Sequence, residues 1–228
     1  LAALTEKVFV TSRLFAGYSG ALDAGVLARL IAALPQGAPG ATVAHKRYDA
    51  AACAVEIPAD VGFCALGHNL YALGSSYSGA CPVLSSLVSY GYLWNMVRVQ
   101  GGAYGTGMNV RRSGDIFCYS YRDPNLDNTR AVFSAVADFI ENFAAQGMPL
   151  DDIIIGAVNT TDPLLDPAGV CESQCVRALK GVTPEELAKT RHELLATKPA
   201  DLAAMADVLR KYAREGKFCT FSGANGGA

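Results

Sequence analysis

Helical spacing of apolar residues recurs along this chain and is interrupted by shorter stretches rich in β-branched and aromatic residues between turn signals. Val8 to Phe15 predicts a strand. Leu22 to Leu34 predicts a helix with Leu22, Val26, Leu27, Leu30, Ile31 and Leu34 on one face, ended by Pro35 to Gly40. Thr42 to Ile57 and Gly62 to Leu73 predict sheet. From Ser78 to about Val97 the pattern is helical again, with Val83, Leu84, Leu87, Val88, Leu93, Trp94 and Val97 on a broad apolar side and Pro82 in the first turn.

Gly101-Gly102 breaks that helix. Met108 to Arg112 and Ile116 to Tyr121 then flank Ser113-Gly114, which predicts a hairpin with a two-residue turn. The segment Arg122 to Leu126 turns into a helix carrying Val132, Val136, Ile140 and Phe143, stopped at Gly147. Further helices are predicted over Asp151 to Asn159, Asp166 to Leu179, Pro184 to Leu195 and Pro199 to Arg214. Thr183-Pro-Glu-Glu186 supplies a cap hydroxyl, a proline at the first helical position and a glutamate three residues after the cap. Gly216 suits the last helix's end, Phe218 to Phe221 a final strand, and Gly223 to Ala228 a loose tail. Early and central strands followed by a helical end predict an α+β fold, a largely antiparallel sheet with helices on one face, as a single domain over 1–228.

Composition bounds the function. With 51% hydrophobic and 18% charged residues the chain has a globular balance and enough length to bury a large core. A formal net charge of −2 without a Lys or Arg block predicts neither nucleic acid nor an anionic membrane as partner. No apolar run is long enough to read as a membrane span, and no basic stretch precedes an apolar one at the N-terminus. Seven cysteines, at 53, 64, 81, 118, 171, 175 and 219, form no CxxC pair, so reduced and mostly buried thiols in a cytoplasmic setting are expected. The chain begins at Leu1, as expected of a piece of a longer polypeptide.

Self-contained chemistry is sparse. His45, His68 and His192 are the three histidines, and none lies in HxxEH or HExxH. His192-Glu193 opens like a zincin motif, but position 196 is Ala, and a surface helix residue is expected. Cys171 and Cys175, four apart on a predicted helix, read as core thiols. Gly74-Ser-Ser-Tyr-Ser78 lacks the second glycine of a nucleophile elbow. The glycines from Gly101 to Gly107 follow a helix rather than a strand, the wrong context for a dinucleotide loop. No metal and no cofactor site is expected in this chain.

One stretch is more specific. Arg98-Val-Gln-Gly-Gly-Ala-Tyr-Gly105, followed at hairpin distance by Ser120-Tyr-Arg-Asp-Pro-Asn-Leu126, resembles the C-terminal half of pitrilysin- and insulinase-type metallopeptidases, in the presequence-protease branch. The resemblance implies a large zinc endopeptidase of two clamshell halves, each with two related α+β domains, and this chain resembles the fourth. It further implies that an HxxEH zinc site lies in the first domain, that the N-terminal half of the same polypeptide is a partner, and that unfolded peptides are the substrates. Arg98 and Tyr104 match the Arg and Tyr that reach the bound peptide in that family. A guanidinium can hold a substrate carbonyl oxygen, and a phenol can donate to a developing oxyanion. Without its parent, the chain is expected to be inactive. Arg122-Asp123 reads mainly as turn and capping chemistry, and Arg111 and Arg112 read equally as chamber charges or as a solvated hairpin tip. The alternatives are a structural or interaction subunit on the same fold and a stand-alone hydrolase using a cysteine.

Overall fold

The computed structural model of the chain describes residues 1–38 and 51–223. In chain order its elements are α1 (Ala2–Val8), α2 (Ala24–Ala33), β1 (Cys53–Glu56), β2 (Gly62–Asn69), α3 (Ala80–Val88) with a π-helical extension (Ser89–Gln100), β3 (Gly105–Val110), β4 (Asp115–Asp123), α4 (Leu126–Ser134), α5 (Val136–Ala145), α6 (Asp151–Thr161), α7 (Pro167–Leu179), α8 (Pro184–Ala196), α9 (Pro199–Ala203), α10 (Ala206–Glu215) and β5 (Lys217–Ser222). The chain divides into two compact units, Leu1–Tyr48 with Leu164–Pro184 and Asp49–Pro163 with Glu185–Ala228.

The first unit holds α1, α2 and α7. Asp23 caps α2 by accepting from the N–H groups of Gly25 at 2.8 Å and Val26 at 3.1 Å, and Asp166 caps α7 ahead of Pro167. The strand expected over Val8 to Phe15 is absent: Val8 closes α1, and a single 3-10 turn, Thr11–Arg13, follows. β-branched and aromatic residues make a strand only where a neighbour supplies a ladder, and among the described residues none pairs here.

The second unit is built on a five-stranded sheet in the order β1-β5-β2-β4-β3, antiparallel except for the β1–β5 pair. The predicted α+β class with a largely antiparallel sheet holds. Of the stretch expected from Thr42, only Cys53–Glu56 is a strand among the described residues, because 39–50 lie outside them. β2 ends at Asn69, short of the expected Leu73, where the Asn69 side chain accepts from the N–H groups of Tyr71 and Ala72 and turns the chain. The hairpin turn is also longer than expected. Arg111 N–H donates to Asp115 O and Gly114 N–H to Arg111 O, closing a loop of Arg112, Ser113 and Gly114. Gly114, at φ +94, takes the left-handed position that such a loop requires.

One face of the sheet carries Cys64, Leu66, Met108, Val110, Ile116 and Cys118, all buried against Leu84 and Leu87 of α3, Phe133 of α4 and Leu209 and Tyr212 of α10. Tyr212 ties this layer together: its hydroxyl donates to Leu66 O at 2.7 Å and accepts from Cys118 N–H at 2.9 Å, joining β2 and β4. The expected helix over Pro199 to Arg214 is two helices, with Met205 N–H donating to Leu202 O in a tighter turn between them. Similarly, Ala135 interrupts the helix after Leu126. Of the seven thiols, all free, only Cys64, Cys81 and Cys118 are buried. The expectation that they would be mostly buried fails for exposed Cys53 and half-buried Cys171, Cys175 and Cys219, since strand β1 is exposed along its length and α7 buries no residue.

Candidate functional site

Arg98 stands in the last turn of the π-helical extension, which runs to Gln100 rather than stopping near Val97. The chain then reverses: Gly102 N–H donates to Arg98 O, Ala103 N–H donates to Val97 O, and Gly102 takes φ +82, a conformation that a side chain would strain. Tyr104 emerges from this reversal immediately before β3. It is 59% exposed, and its N–H donates to Arg122 O. Two residues six apart, one on a helix and one beside a strand, are thus brought to one place.

Aromatic rings and guanidinium groups make up the cluster. The Arg98 Cζ lies 3.9 Å from the Trp94 ring centre and 5.9 Å from that of Tyr104. Tyr104 meets Tyr121 edge-on at 5.5 Å, and Tyr121 stacks with Tyr119 at 6.5 Å. A Cβ at Gly105 would overlap the Tyr121 ring, so glycine there lets the ring lie flat on β3. Among the described residues no carboxylate pairs with Arg98.

Arg122 joins this cluster through a bulge. Gly62 pairs with Asp123 and Phe63 with Tyr121, leaving Arg122 as the extra residue of β4. Its φ of +50 is the only positive value at a non-glycine among the described residues, a conformation that costs about 1–2 kcal/mol for an L side chain. The bulge carries the Arg122 Cζ to 5.6 Å from the Tyr104 ring centre. Asp123, by contrast, is buried, with its carboxylate accepting from Ser120 Oγ and Thr129 Oγ1, both at 2.6 Å, and from Asn125 N–H at 2.8 Å. The turn and capping reading of this dipeptide fits Asp123, while Arg122 adds a bulge that carries an exposed side chain.

The cluster lies at one end of the sheet face turned away from the helices. Val55, Phe221, Phe63 and Tyr121 stand in register across β1, β5, β2 and β4, all exposed, with Gly105 of β3 completing the row. Beside it, a cavity of about 340 Å³ runs between Trp94, Arg98, Tyr90 and the β3 segment Gly105 to Val110. Backbone groups of β3 are already engaged there: Ser89 Oγ accepts from Met108 N–H at 2.9 Å, and Ser85 Oγ accepts from Val110 N–H at 3.0 Å. A larger concavity of about 950 Å³, between Glu56–Gly62 and Asp123–Asp127, contains neither Arg98 nor Tyr104.

The other candidates are dispersed. Arg111 lies over Phe117 at 4.9 Å, while Arg112 lies over Tyr77 at 5.2 Å and donates to Thr190 Oγ1, so both are held against the fold. His192 is exposed on α8, whereas its neighbour Glu193 accepts from Gly79 N–H at 2.8 Å at the start of α3. His68 accepts from Asn69 N–H, and His45 lies outside the described residues. Among the described residues no group of three or more His, Cys, Asp or Glu is placed to hold a metal, and no helix is long and apolar enough to cross a membrane. Trp94 was expected on the apolar side of its helix, yet it is 42% exposed beneath Arg98. The i, i+4 spacing of the two was the one signal for it.

Comparison with known proteins identifies the family. The family model of the PreP C-terminal domain matches residues 53–220. Protein HypA of Clostridium perfringens is 31% identical over 160 residues, covering 70% of this chain and 16% of that protein. The chloroplastic and mitochondrial presequence protease 1 of Arabidopsis thaliana is 34% identical over 157 residues, covering 68% of this chain and 14% of that protein. The chain therefore spans only a small fraction of these relatives. Among solved structures, a peptidase M16 inactive domain from Pseudomonas fluorescens superposes with a TM-score of 0.60 over 90% of this chain and 51% of that one. A protease from Helicobacter pylori superposes with a TM-score of 0.58 over 89% of this chain and 54% of that one. At 13% and 12% identity, these two share the fold. By the extent of the family match, the chain belongs to the PreP C-terminal domain family, that of the presequence proteases.

Proposed function

We propose that this chain is the substrate-contacting C-terminal domain of a zinc-dependent endopeptidase that degrades unfolded peptides in a closed chamber. Its residues 1–228 act as one domain, with Arg98 and Tyr104 reaching the peptide. The zinc ligands lie in the N-terminal half of the same polypeptide, whose compartment is cytoplasmic. The observation that carries this reading is the exposed Tyr104 phenol beside the Arg98 guanidinium, at the end of an open aromatic sheet face. Trp94 fixes the cation without neutralising it, so its donors remain available to a carbonyl oxygen. Tyr104 supplies a hydroxyl where negative charge develops in peptide hydrolysis. The neighbouring row from Val55 to Tyr121 offers apolar surface to an extended peptide.

In the full-length enzyme, Tyr104→Phe is expected to lower peptide turnover about 10²-fold, the scale of losing one oxyanion donor. Arg98→Ala should lower it as well, with bound zinc unchanged in both. Normal turnover in both variants would rule out these roles. Limited proteolysis of the 228-residue chain tests the single-domain reading, which predicts no stable fragment ending near Tyr48 or Leu164.

A further inference from the structure

We infer that Arg122 is a third substrate contact at this site, forming with Arg98 a subsite that selects an acidic side chain of the bound peptide. This rests on the proposed function above. Three observations carry it. First, Arg122 is the extra residue of a β-bulge and takes a positive φ that glycine adopts freely and arginine does not. Folding alone favours glycine at such a position, so the arginine is there for its side chain. Second, the bulge is anchored from both sides: Asp123 is buried under Ser120, Thr129 and Asn125, while Arg122 O accepts from Tyr104 N–H. The backbone that strains Arg122 is therefore also the backbone that positions Tyr104.

Third, both charged groups that lie over the Tyr104 ring are cations. Arg98 and Arg122 lie over its ring at 5.9 and 5.6 Å, and neither has a carboxylate partner among the described residues. In the same unit Arg191 pairs with Asp162 and Arg210 with Glu141 and Asp138, while Arg111, Arg112 and Arg130 each rest on a separate aromatic ring. The half-buried guanidinium of Arg98 and the exposed one of Arg122 flank a phenol, and with the one adjacent carboxylate, Asp123, buried in bonds to Ser120, Thr129 and Asn125, they form a fork complementary to a carboxylate. They repel Lys and Arg side chains at the same place.

The test uses the full-length enzyme and pairs of peptides that are identical except for Glu or Gln at each position flanking the cleaved bond. The wild type is expected to favour the Glu member at one position by about tenfold in kcat/KM. Arg122→Gly and Arg122→Gln should bring that ratio close to one. Arg122→Gly should also unfold at an unchanged or higher temperature, because the strain is relieved, which separates a ligand role from a structural one. A wild type without a Glu preference, or an Arg122→Gly enzyme that keeps it, overturns the inference. Arg98→Ala and Tyr104→Phe run alongside. If they lose turnover while Arg122→Gly leaves the ratio unchanged, only the Arg122 assignment fails. If they too turn over normally, the proposed function fails with it.

Discussion

The guanidinium of Arg98 rests on the indole of Trp94, with Cζ 3.9 Å from the ring centre. Both residues belong to the π-helical extension of α3, and the stack sets the direction in which the cation leaves the helix. An arginine in the last turn of a helix otherwise samples many rotamers, and ordering it costs up to about 2 kcal/mol of side-chain entropy. Trp94 offsets part of that cost.

Replacing Trp94 with Ala is expected to weaken peptide turnover by about two- to fivefold, the worth of a partly exposed cation–π contact. The loss should appear chiefly in KM. Trp94→Phe should recover most of it, and thermal stability should change little because the ring is 42% exposed. Steady-state kinetics of the full-length enzyme check this, and an unaltered KM in Trp94→Ala would remove the indole from the site.

Asp123 supports the bulge from beneath, so Asp123→Asn should destabilise the fold by about 1–3 kcal/mol, because an amide cannot accept from Ser120, Thr129 and Asn125 together. Urea unfolding measures this. The same variant should also lower turnover, since Asp123 anchors the bulge whose Arg122 O accepts from Tyr104 N–H.

Alkaline pH should destabilise the second unit. Burial pushes the Cys118 thiol from the usual 9.0 up to about 12 and, despite the Ser120 hydroxyl, raises Cys64 to about 11. Burial also holds the Tyr212 phenol well above its usual 10.0. An unfolded chain releases these protons at lower pH than the folded one, so stability is full below about pH 9 and is lost as pH rises toward 12. Urea midpoints measured from about pH 8 to 10.5 should fall steadily, and Cys118→Ala should flatten the slope. An identical slope in that variant would show that other groups dominate.

Much of the sheet and its helices is legible in the amino-acid order. The hairpin strands, the Pro184 start of α8, the Asp166–Pro167 start of α7 and the final strand after Gly216 rest on local rules, in which turn chemistry and side-chain period act within a few residues. The breaks at Ala135 and between Leu202 and Met205 are not marked by Gly or Pro, so the pattern there predicts continuous helix. Val8 to Phe15 departs for the opposite reason: its composition suits a strand, but among the described residues no strand pairs with it.

The site divides along the same line. Arg98 and Tyr104 are candidates in the sequence because their spacing resembles a family, and the chemistry of a guanidinium and a phenol belongs to the residues themselves. What only the tertiary structure decided is which neighbours share their space. Trp94 became a platform rather than core because the π-helical extension turns it outward, and Arg122 became part of the cluster because one unpaired residue in β4 redirects its side chain. A bulge is defined by the register of two strands far apart in sequence, Gly62–Phe63 against Tyr121–Asp123, so no reading of either segment alone contains it.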